Sequence, residues 1–359
     1  MNEIFKYFLH LGFLGFGGPL ALVAQMQREL VVEKKWMTED DFRSAFGMIK
    51  TMPGPVAFQT AVFLGRVRGG FFGGTLAGLC LILPSFVLMI LLAMFYQSMN
   101  VVPWIQHLMH GMQIAAFALI AWALKSLAQN LFREKLFWFL FVVCLASAAY
   151  SFFPEPVLII GSGLVAVGMH NFFSTNKLDR KPNKLAAVSP LIIPLALVCL
   201  KAGAFVFGTG LAIVPLLETD FVNRLHWLTH TEFMDALAFG QLTPGPVVIT
   251  VTFIGYKVAG LLGAGVATAG VFLPSFIHMT TWFPLLLNWM IKQTWIKYFS
   301  LGVTAAVCST IVLSLIRIGN AWSYLDIVLA VLFVGAMYFT KLPSWFFIII
   351  GGSMGLILY

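Results

Sequence analysis

The sequence predicts an all-α integral membrane protein, a polytopic helical bundle of two inverted repeats, each with a helical hairpin broken by Pro-Gly-Pro. The first observation is composition: of 359 residues, 60% are hydrophobic and 10% are charged, whereas a soluble domain is about 45–50% apolar and about 25% charged. This balance excludes an ordinary globular enzyme, a disordered chain and a nucleic-acid binder. The net charge of +8 comes from dispersed Lys and Arg residues, which are expected in loops on the cytoplasmic side of a bilayer.

The second observation is a series of long apolar segments, six on each side of a polar, basic stretch. They run over 4–27, 44–65, 71–98, 104–128, 135–153 and 156–173, and then over 188–217, 233–256, 261–289, 297–316, 323–340 and 343–359. Since about 20 apolar residues cross a bilayer as a helix, the chain is a multi-pass membrane protein. We expect a first transporter repeat at 1–173, a basic cytoplasmic linker at 174–187 and a second repeat at 188–359.

The third observation is an internal duplication, in which a shift of 191 residues, with a one-residue slip, superimposes the motifs of the two halves. The matching motifs are Pro53-Gly54-Pro55-Val56 with Pro244-Gly245-Pro246-Val247, Trp36-x-Thr38-x-x-x-Phe42 with Trp227-x-Thr229-x-x-x-Phe233, and Leu83-Pro84-Ser85-Phe86 with Leu273-Pro274-Ser275-Phe276. So many ordered identities indicate a tandem duplication, which is typical of transporters.

The charges of equivalent loops indicate that the second repeat is upside down relative to the first. Residues 28–43 hold four basic residues, whereas the equivalent stretch 218–235 holds only Arg224 beside four acidic residues. The bias reverses further along, where 99–103 has no basic residue and 290–297 has two. Because Lys and Arg prefer the cytoplasmic side, equivalent loops are expected on opposite sides of the membrane.

The two Pro-Gly-Pro motifs interrupt segments that would otherwise cross the membrane. Proline lacks an N–H group and blocks the preceding helical turn, and irregular backbone at membrane depth is tolerated only inside protein or along a watery cavity. A fresh helix after each motif would leave unpaired N–H groups at 56–59 and 247–250, and helix N-termini attract anions. A lone motif of this kind favours a simple kink, but its recurrence at equivalent positions favours a paired half-helix binding site in a re-entrant hairpin.

The candidate substrate-binding residues come from the breaks and from sparse intramembrane charge. Phe16-Gly17-Gly18-Pro19 and its counterpart fit close helix packing as well as a binding site, and Lys50 and Lys201 fit snorkelling to the interface as well as anion binding. Asp235 and Glu218 are better explained as capping or solvated acids than as proton relays. The candidates are Phe16, Gly17, Gly18, Pro19, Lys50, Pro53, Gly54, Pro55, Gln59, Lys201, Phe207, Gly208, Thr209, Gln241, Thr243, Pro244, Gly245 and Pro246.

Several chemistries have no sequence support. No Walker A motif, metalloprotease motif or cysteine cluster occurs, and the His226/His230 and His107/His110 pairs lack further ligands. We therefore expect no catalytic residues, no metal and no cofactor.

The ordered motif set resembles the chromate ion transporter (CHR) family in its two-domain, long-chain form, over nearly all of the chain. The resemblance implies a plasma-membrane secondary transporter that exports chromate, giving chromate resistance by anion efflux, and two homologous domains of opposite orientation. The second copy has Gly208-Thr209-Gly210 where the first has Gly17-Gly18-Pro19, so the halves need not contribute equally to the substrate site.

Three functions stay open at this point. The first is chromate export by alternating access between the repeats, with a proton as the candidate coupling ion. The second is transport of another tetrahedral oxyanion such as sulfate, which has the same shape and charge as chromate. The third is a membrane-embedded enzyme or non-transporting scaffold, for which the sequence offers no catalytic set. The sequence is also compatible with a homo-oligomer, and it implies lipid but no nucleic acid as a partner.

Overall fold

A computed structural model describes residues 1–99, 102–129, 131–132, 134–150, 152–171, 191–208, 210–320, 322–340 and 342–359. Every regular element in these residues is helical, which confirms the predicted all-α class. The predicted basic linker, 174–187, lies outside the described residues, and the domain boundaries around it stay predictions.

The described part of the first half contains seven α-helices, and a π-helical segment, Gln27–Glu33, continues the second of them. The helices are α1 (Asn2–Leu14), α2 (Gly18–Met26), α3 (Glu39–Ile49), α4 (Val56–Met99), α5 (Pro103–Ala128), α6 (Lys135–Ala149) and α7 (Glu155–Asn171).

The second half repeats this order, including a π-helical segment, Glu218–Arg224, that lies 191 residues after the first one. Two 3-10 turns, Gly210–Ile213 and Val247–Ile249, precede α9 and α11. The helices are α8 (Ile192–Phe205), α9 (Val214–Leu217), α10 (His230–Leu242), α11 (Thr250–Thr280), α12 (Phe283–Met290), α13 (Thr294–Gly319), α14 (Tyr324–Phe339) and α15 (Ser344–Leu358).

Four helices in the described residues are long and apolar enough to cross a membrane, and they form two equivalent pairs. They are Val56–Tyr96, Pro103–Ala128, Val247–Thr280 and Thr294–Gly319. Shorter apolar helices, among them α6, α8 and α15, surround these four. The chain is therefore a multi-pass membrane protein, as the composition predicts.

The repeated threonine in the Trp-x-Thr motif begins a helix in each half. Thr38 accepts a hydrogen bond from the backbone N–H of Asp41 at the start of α3, at 3.2 Å. Thr229 does the same with Glu232 at the start of α10, and the Glu232 carboxylate accepts the Thr229 N–H in return. Such caps satisfy N–H groups that have no intrahelical partner, so the motif fixes where each broken segment begins.

The long helices α4 and α11 each contain a sharp reversal of the chain. Each reversal occurs at a glycine with positive φ, a backbone conformation that other residues rarely adopt. Gly70 has φ of 63° and Gly260 has φ of 61°. Before and after each reversal the two arms pack closely, since Gly65 lies against Gly73 and Gly255 against Gly263. A side chain larger than hydrogen at these glycines would separate the arms.

The second Pro-Gly-Pro motif also reverses the chain, because α10 packs antiparallel to the first arm of α11. Near the motif, Gly240 of α10 lies against Thr250 of α11. Further from it, the rings of Phe239 and Phe253 lie 5.4 Å apart. This pair of helices is a hairpin whose tip is the Pro-Gly-Pro motif; its re-entrant position in a bilayer stays a prediction.

The glycine-rich break after α1 is the tip of another hairpin, which the sequence did not predict. The ammonium of Lys34 lies 3.1 Å from the Glu3 carboxylate, and the Phe8 and Trp36 rings are 6.4 Å apart. The hydrogen bond from Lys34 holds the pKa of Glu3 below its usual value. In the second half, Lys201 of α8 pairs with Asp220 in the same way. Each half therefore folds a first segment back on itself at its glycine-rich motif.

Equivalent helices of the two halves run antiparallel, as the inverted-repeat prediction requires. Midway along α5, Phe117 packs 4.6 Å from Trp322, just after α13 ends. Close to the end of α5, Leu124 packs against a cluster of buried residues that includes Leu301, in the first part of α13. The halves also interlock, since Gly111 of α5 lies against α15 and Gly302 of α13 lies against α7. Helices of each half therefore pack directly against helices of the other half.

Candidate functional site

Four breaks in the helices, two glycine-rich and two with Pro-Gly-Pro, come together between the two halves, in a region that we call the four-tip junction (residues 15–18, 53–55, 206–208 and 244–246). Gly54 donates its backbone N–H to the Val206 carbonyl at 2.6 Å, and Gly245 donates to the Gly15 carbonyl at 2.9 Å. A shift of 191 residues converts one bond into the other. The junction thus has two-fold pseudosymmetry, and each Pro-Gly-Pro motif is held by the glycine-rich tip of the opposite half.

Two serines from the repeated Leu-Pro-Ser-Phe motif complete this contact. The Ser85 hydroxyl of α4 donates to the Pro244 carbonyl. Ser275 of α11 lies against Gly54 and 3.5 Å from the Gln59 amide nitrogen. Both hydroxyls are fully buried. Neither serine is among the candidates predicted from the sequence, although a hydroxyl residue directly after the proline of a repeated motif is the signal that the sequence offers.

The helix N-termini at the junction leave fewer free N–H groups than the sequence predicts. In the first half the backbone N–H of Gln59 already donates to the Pro55 carbonyl at 2.9 Å. Only the N–H groups of residues 56–58 therefore lie before the first hydrogen bond of the helix. In the second half the chain begins with a 3-10 turn, in which Ile249 N–H bonds to Pro246. The prediction that Gln59, Ile249 and Thr250 keep free N–H groups is therefore wrong, because tighter turns satisfy them earlier.

Two buried glutamines next to the tips have amide atoms without a hydrogen-bond partner. Gln59 is fully buried and donates its Nε2 to the Pro53 carbonyl at 2.5 Å, which leaves Oε1 unpartnered. Gln241 is 5% exposed, and its Nε2 donor has no partner. An unpaired buried amide costs about 1–3 kcal/mol. A ligand that accepts from Gln241 would offset this cost.

The glycine-rich tips are placed at the junction but differ between the halves. Gly17, just before α2, has φ of 107°, and Gly18, the first residue of α2, has φ of 82° and is followed by Pro19. In the second half Gly208 has φ of 78°, and a 3-10 turn follows. Phe207 is buried, whereas Phe16 packs on Trp345. Thr209 lies outside the described residues.

The two candidate lysines are engaged elsewhere. The Lys50 ammonium lies over the Phe46 ring, 4.3 Å from its centroid. Lys201 forms an ion pair with Asp220, a residue only 1% exposed, which also contacts Arg224 at 3.4 Å. The charge of Lys201 is thus balanced by a neighbour. Thr243 is buried and donates to the Gly240 carbonyl at 3.1 Å, which ends α10 before the tip.

Two cavities lie at opposite ends of α13. The larger, about 910 Å³, includes Arg317 of its last turn and the acids Asp235 and Glu232. The smaller, about 440 Å³, includes Lys292 and Lys297 near its start. The larger cavity has buried Asp235 in its lining, whereas no acid of the described residues lines the smaller one.

The described residues contain no group of three or more His, Cys, Asp or Glu side chains placed to hold a metal ion. The four cysteines are buried as free thiols, far from one another in the sequence. The donors at the four-tip junction are instead backbone N–H groups, hydroxyls and amides. Such a set binds an anion or a polar solute by hydrogen bonds.

Comparison with known proteins places this geometry in a family context. The sequence matches the chromate transporter family over residues 2–167 and 193–356. It is 37% identical over 324 residues to the chromate transport protein of Cupriavidus metallidurans, covering 87% of this chain and 80% of that protein. It is 36% identical over 336 residues to a probable chromate transport protein of Synechococcus elongatus, covering 89% and 85%. It is 30% identical over 337 residues to the chromate transport protein of Pseudomonas aeruginosa, covering 86% and 79%. No solved structure matches significantly.

Proposed function

This chain belongs to the chromate transporter family, and from that premise we propose that it is a secondary active transporter that exports chromate across the plasma membrane by alternating access. The observation that carries the proposal is the four-tip junction, where each Pro-Gly-Pro break is bonded to the glycine-rich tip of the opposite half, Gly54 to Val206 and Gly245 to Gly15. Intramembrane half-helix ends at a repeat interface are the usual position of a transporter substrate site.

The junction suits a tetrahedral dianion. Stripping water from a dianion is costly unless hydrogen bonds and positive potential replace it. The N–H groups at the start of α4 and after Pro246 supply both, because a helix N-terminus carries about +0.5 charge. The unpartnered Gln241 amide adds a donor. Since the two halves hold the junction jointly, rocking one half against the other would expose it to alternate sides.

Replacement of the second proline in each Pro-Gly-Pro motif tests the site. Pro55→Ala combined with Pro246→Ala is expected to abolish uptake of radiolabelled chromate into everted vesicles, because alanine permits the helices to extend backward and consume the free N–H groups. Pro284→Ala, in α12, is the matched control and should transport normally. Unchanged uptake by the double variant contradicts the proposed site, and competition by unlabelled sulfate in the same assay decides whether sulfate is also a substrate.

Replacement of Gln241 distinguishes an effect on substrate binding from an effect on protein stability. Gln241→Leu removes a buried donor that has no partner, so the melting temperature should stay equal or rise. The KM for chromate should rise about tenfold, which corresponds to a loss of about 1.4 kcal/mol in binding free energy. This is close to the contribution of one hydrogen bond to a charged group. Gln59→Leu, which also loses the bond to Pro53, should lower the melting temperature. An unchanged KM in Gln241→Leu would remove Gln241 from the site.

A further inference from the structure

Asp235 is a buried acid of the larger cavity, and it connects the two halves. Its side chain is 2% exposed. It accepts a hydrogen bond from the Tyr96 hydroxyl at 2.6 Å and another from the Gln113 amide at 2.7 Å. Tyr96 belongs to α4 and Gln113 to α5, whereas Asp235 belongs to α10. An ionised Asp235 therefore holds the hairpin of the second half against two helices of the first half.

The cation that acts on the Asp235 carboxylate, Lys257, already has a carboxylate partner of its own. No lysine or arginine of the described residues lies within 4.0 Å of its carboxylate. Lys257 is paired with Glu232, with Nζ 2.5 Å from Oε1, and His110 is paired with Asp326 at 2.9 Å. The titratable and charged groups that line the cavity with Asp235 are Tyr96 of α4, His107 and His110 of α5, His230 and Glu232 of α10, Arg317 of α13 and Tyr359, which follows α15. Lys257 of α11 lies over the Tyr96 ring, 5.0 Å from its centroid.

Asp235 lies between the cavity and the four-tip junction. It lines the cavity, and the helix continues from it to Gln241 beside the tip, a rise of about 9 Å at 1.5 Å per residue. The equivalent residue of the first half is Ser44. The first half therefore has no acid at the position equivalent to Asp235. The cavity that Asp235 lines is at the end of α13 opposite to Lys292 and Lys297, whose loop the charge bias assigns to the cytoplasm.

We propose that Asp235 is the proton-coupling site of the transporter. It must take a proton from the larger cavity, which faces the outside, before an oxyanion can leave the junction through that cavity. The inference rests on the proposed function. An ionised carboxylate repels a dianion strongly in a medium of low dielectric constant. Protonation removes the negative charge and weakens the bonds from Tyr96 and Gln113, which loosens the hairpin. The same proton is given up on the opposite side once the halves have rocked, and each exported anion thus requires one imported proton.

Everted vesicles loaded to be acidic inside test this coupling, with radiolabelled chromate at alkaline external pH and the membrane potential clamped. Wild-type accumulation is expected to fall severalfold when an ionophore collapses the pH gradient. Asp235→Asn, a permanent neutral mimic, should lose gradient-driven accumulation but keep exchange of labelled for unlabelled chromate at every pH. Asp326→Asn, which replaces an acid paired with His110, is the matched control and should accumulate like the wild type.

A second variant keeps the test informative if Asp235→Asn fails to fold. Tyr96→Phe removes one donor to the ionised carboxylate, so proton binding becomes easier and the midpoint of the pH profile of exchange should move to higher pH. Wild-type accumulation indifferent to the gradient, full accumulation by Asp235→Asn, or an unmoved midpoint in Tyr96→Phe each overturns the coupling role. Absence of any chromate transport by the wild type would instead overturn the proposed function.

Discussion

Gly54→Ala is expected to abolish chromate transport and to destabilise the protein. Gly54 has φ of 126°, which residues other than glycine rarely adopt. An added Cβ would also fall on the Ser275 hydroxyl and the Gln59 amide. Overpacking costs about 1–3 kcal/mol, and the backbone strain adds about 1–2 kcal/mol. Either effect moves the Gly54 N–H away from the Val206 carbonyl and so separates the two halves at the junction.

The measurement is uptake of radiolabelled chromate together with the melting temperature in detergent. Gly47→Ala is the matched control, because it lies in the preceding helix α3 with no atom within 4 Å of the added Cβ. It should be neutral or slightly stabilising, since alanine favours a helix over glycine. Adding Ser275→Gly to Gly54→Ala should recover the part of the loss that comes from the clash with Ser275, but not the backbone strain. Normal uptake and stability in Gly54→Ala would show that the junction tolerates a displaced tip.

The inverted architecture could be predicted because it depends on properties that a sequence displays directly. Duplicated motifs and loop charges are one-dimensional patterns, and the antiparallel packing of α5 and α13 agrees with them. The contact between Gly54 and Val206 could not be predicted, because it depends on which tip meets which across the halves. The repeated serines were visible in the sequence, but their partners, Pro244 and Gln59, come from the opposite half.

The roles of charged residues were the least predictable part of the site. Lys50 and Lys201 look alike in sequence, as single lysines within apolar segments. The structure places the Lys50 ammonium over an aromatic ring and pairs Lys201 with Asp220, which lies 19 positions later in the sequence. The sequence favours a capping or solvated role for Asp235, but the structure buries this residue against Tyr96 and Gln113. Ion pairs form between the two arms of a hairpin, and a hydropathy pattern does not show which residues of the two arms lie opposite each other.

Lys201→Met is expected to lower the free energy of unfolding by about 3 kcal/mol, the low end of the range for breaking a buried ion pair. Its partner Asp220 is 1% exposed and would retain only the 3.4 Å contact with Arg224. Next to it, Thr219 donates to Glu155 of α7 at 2.6 Å, so the disturbance reaches the first half. Lys50→Met, which loses a contact with an aromatic ring alone, is the matched control and should melt close to the wild type.

The double variant Lys201→Met with Asp220→Asn decides between two roles for Lys201. If the lysine serves to neutralise Asp220, removing both charges leaves no unpaired ion, and both stability and chromate uptake should largely recover. If the lysine instead binds the substrate, stability recovers while the KM for chromate stays raised, because the anion has lost a cation that Asp220→Asn cannot replace. The pairing of Lys201 and Asp220 across the hairpin favours the first result, which would restrict anion binding to the N–H groups and amides of the four-tip junction.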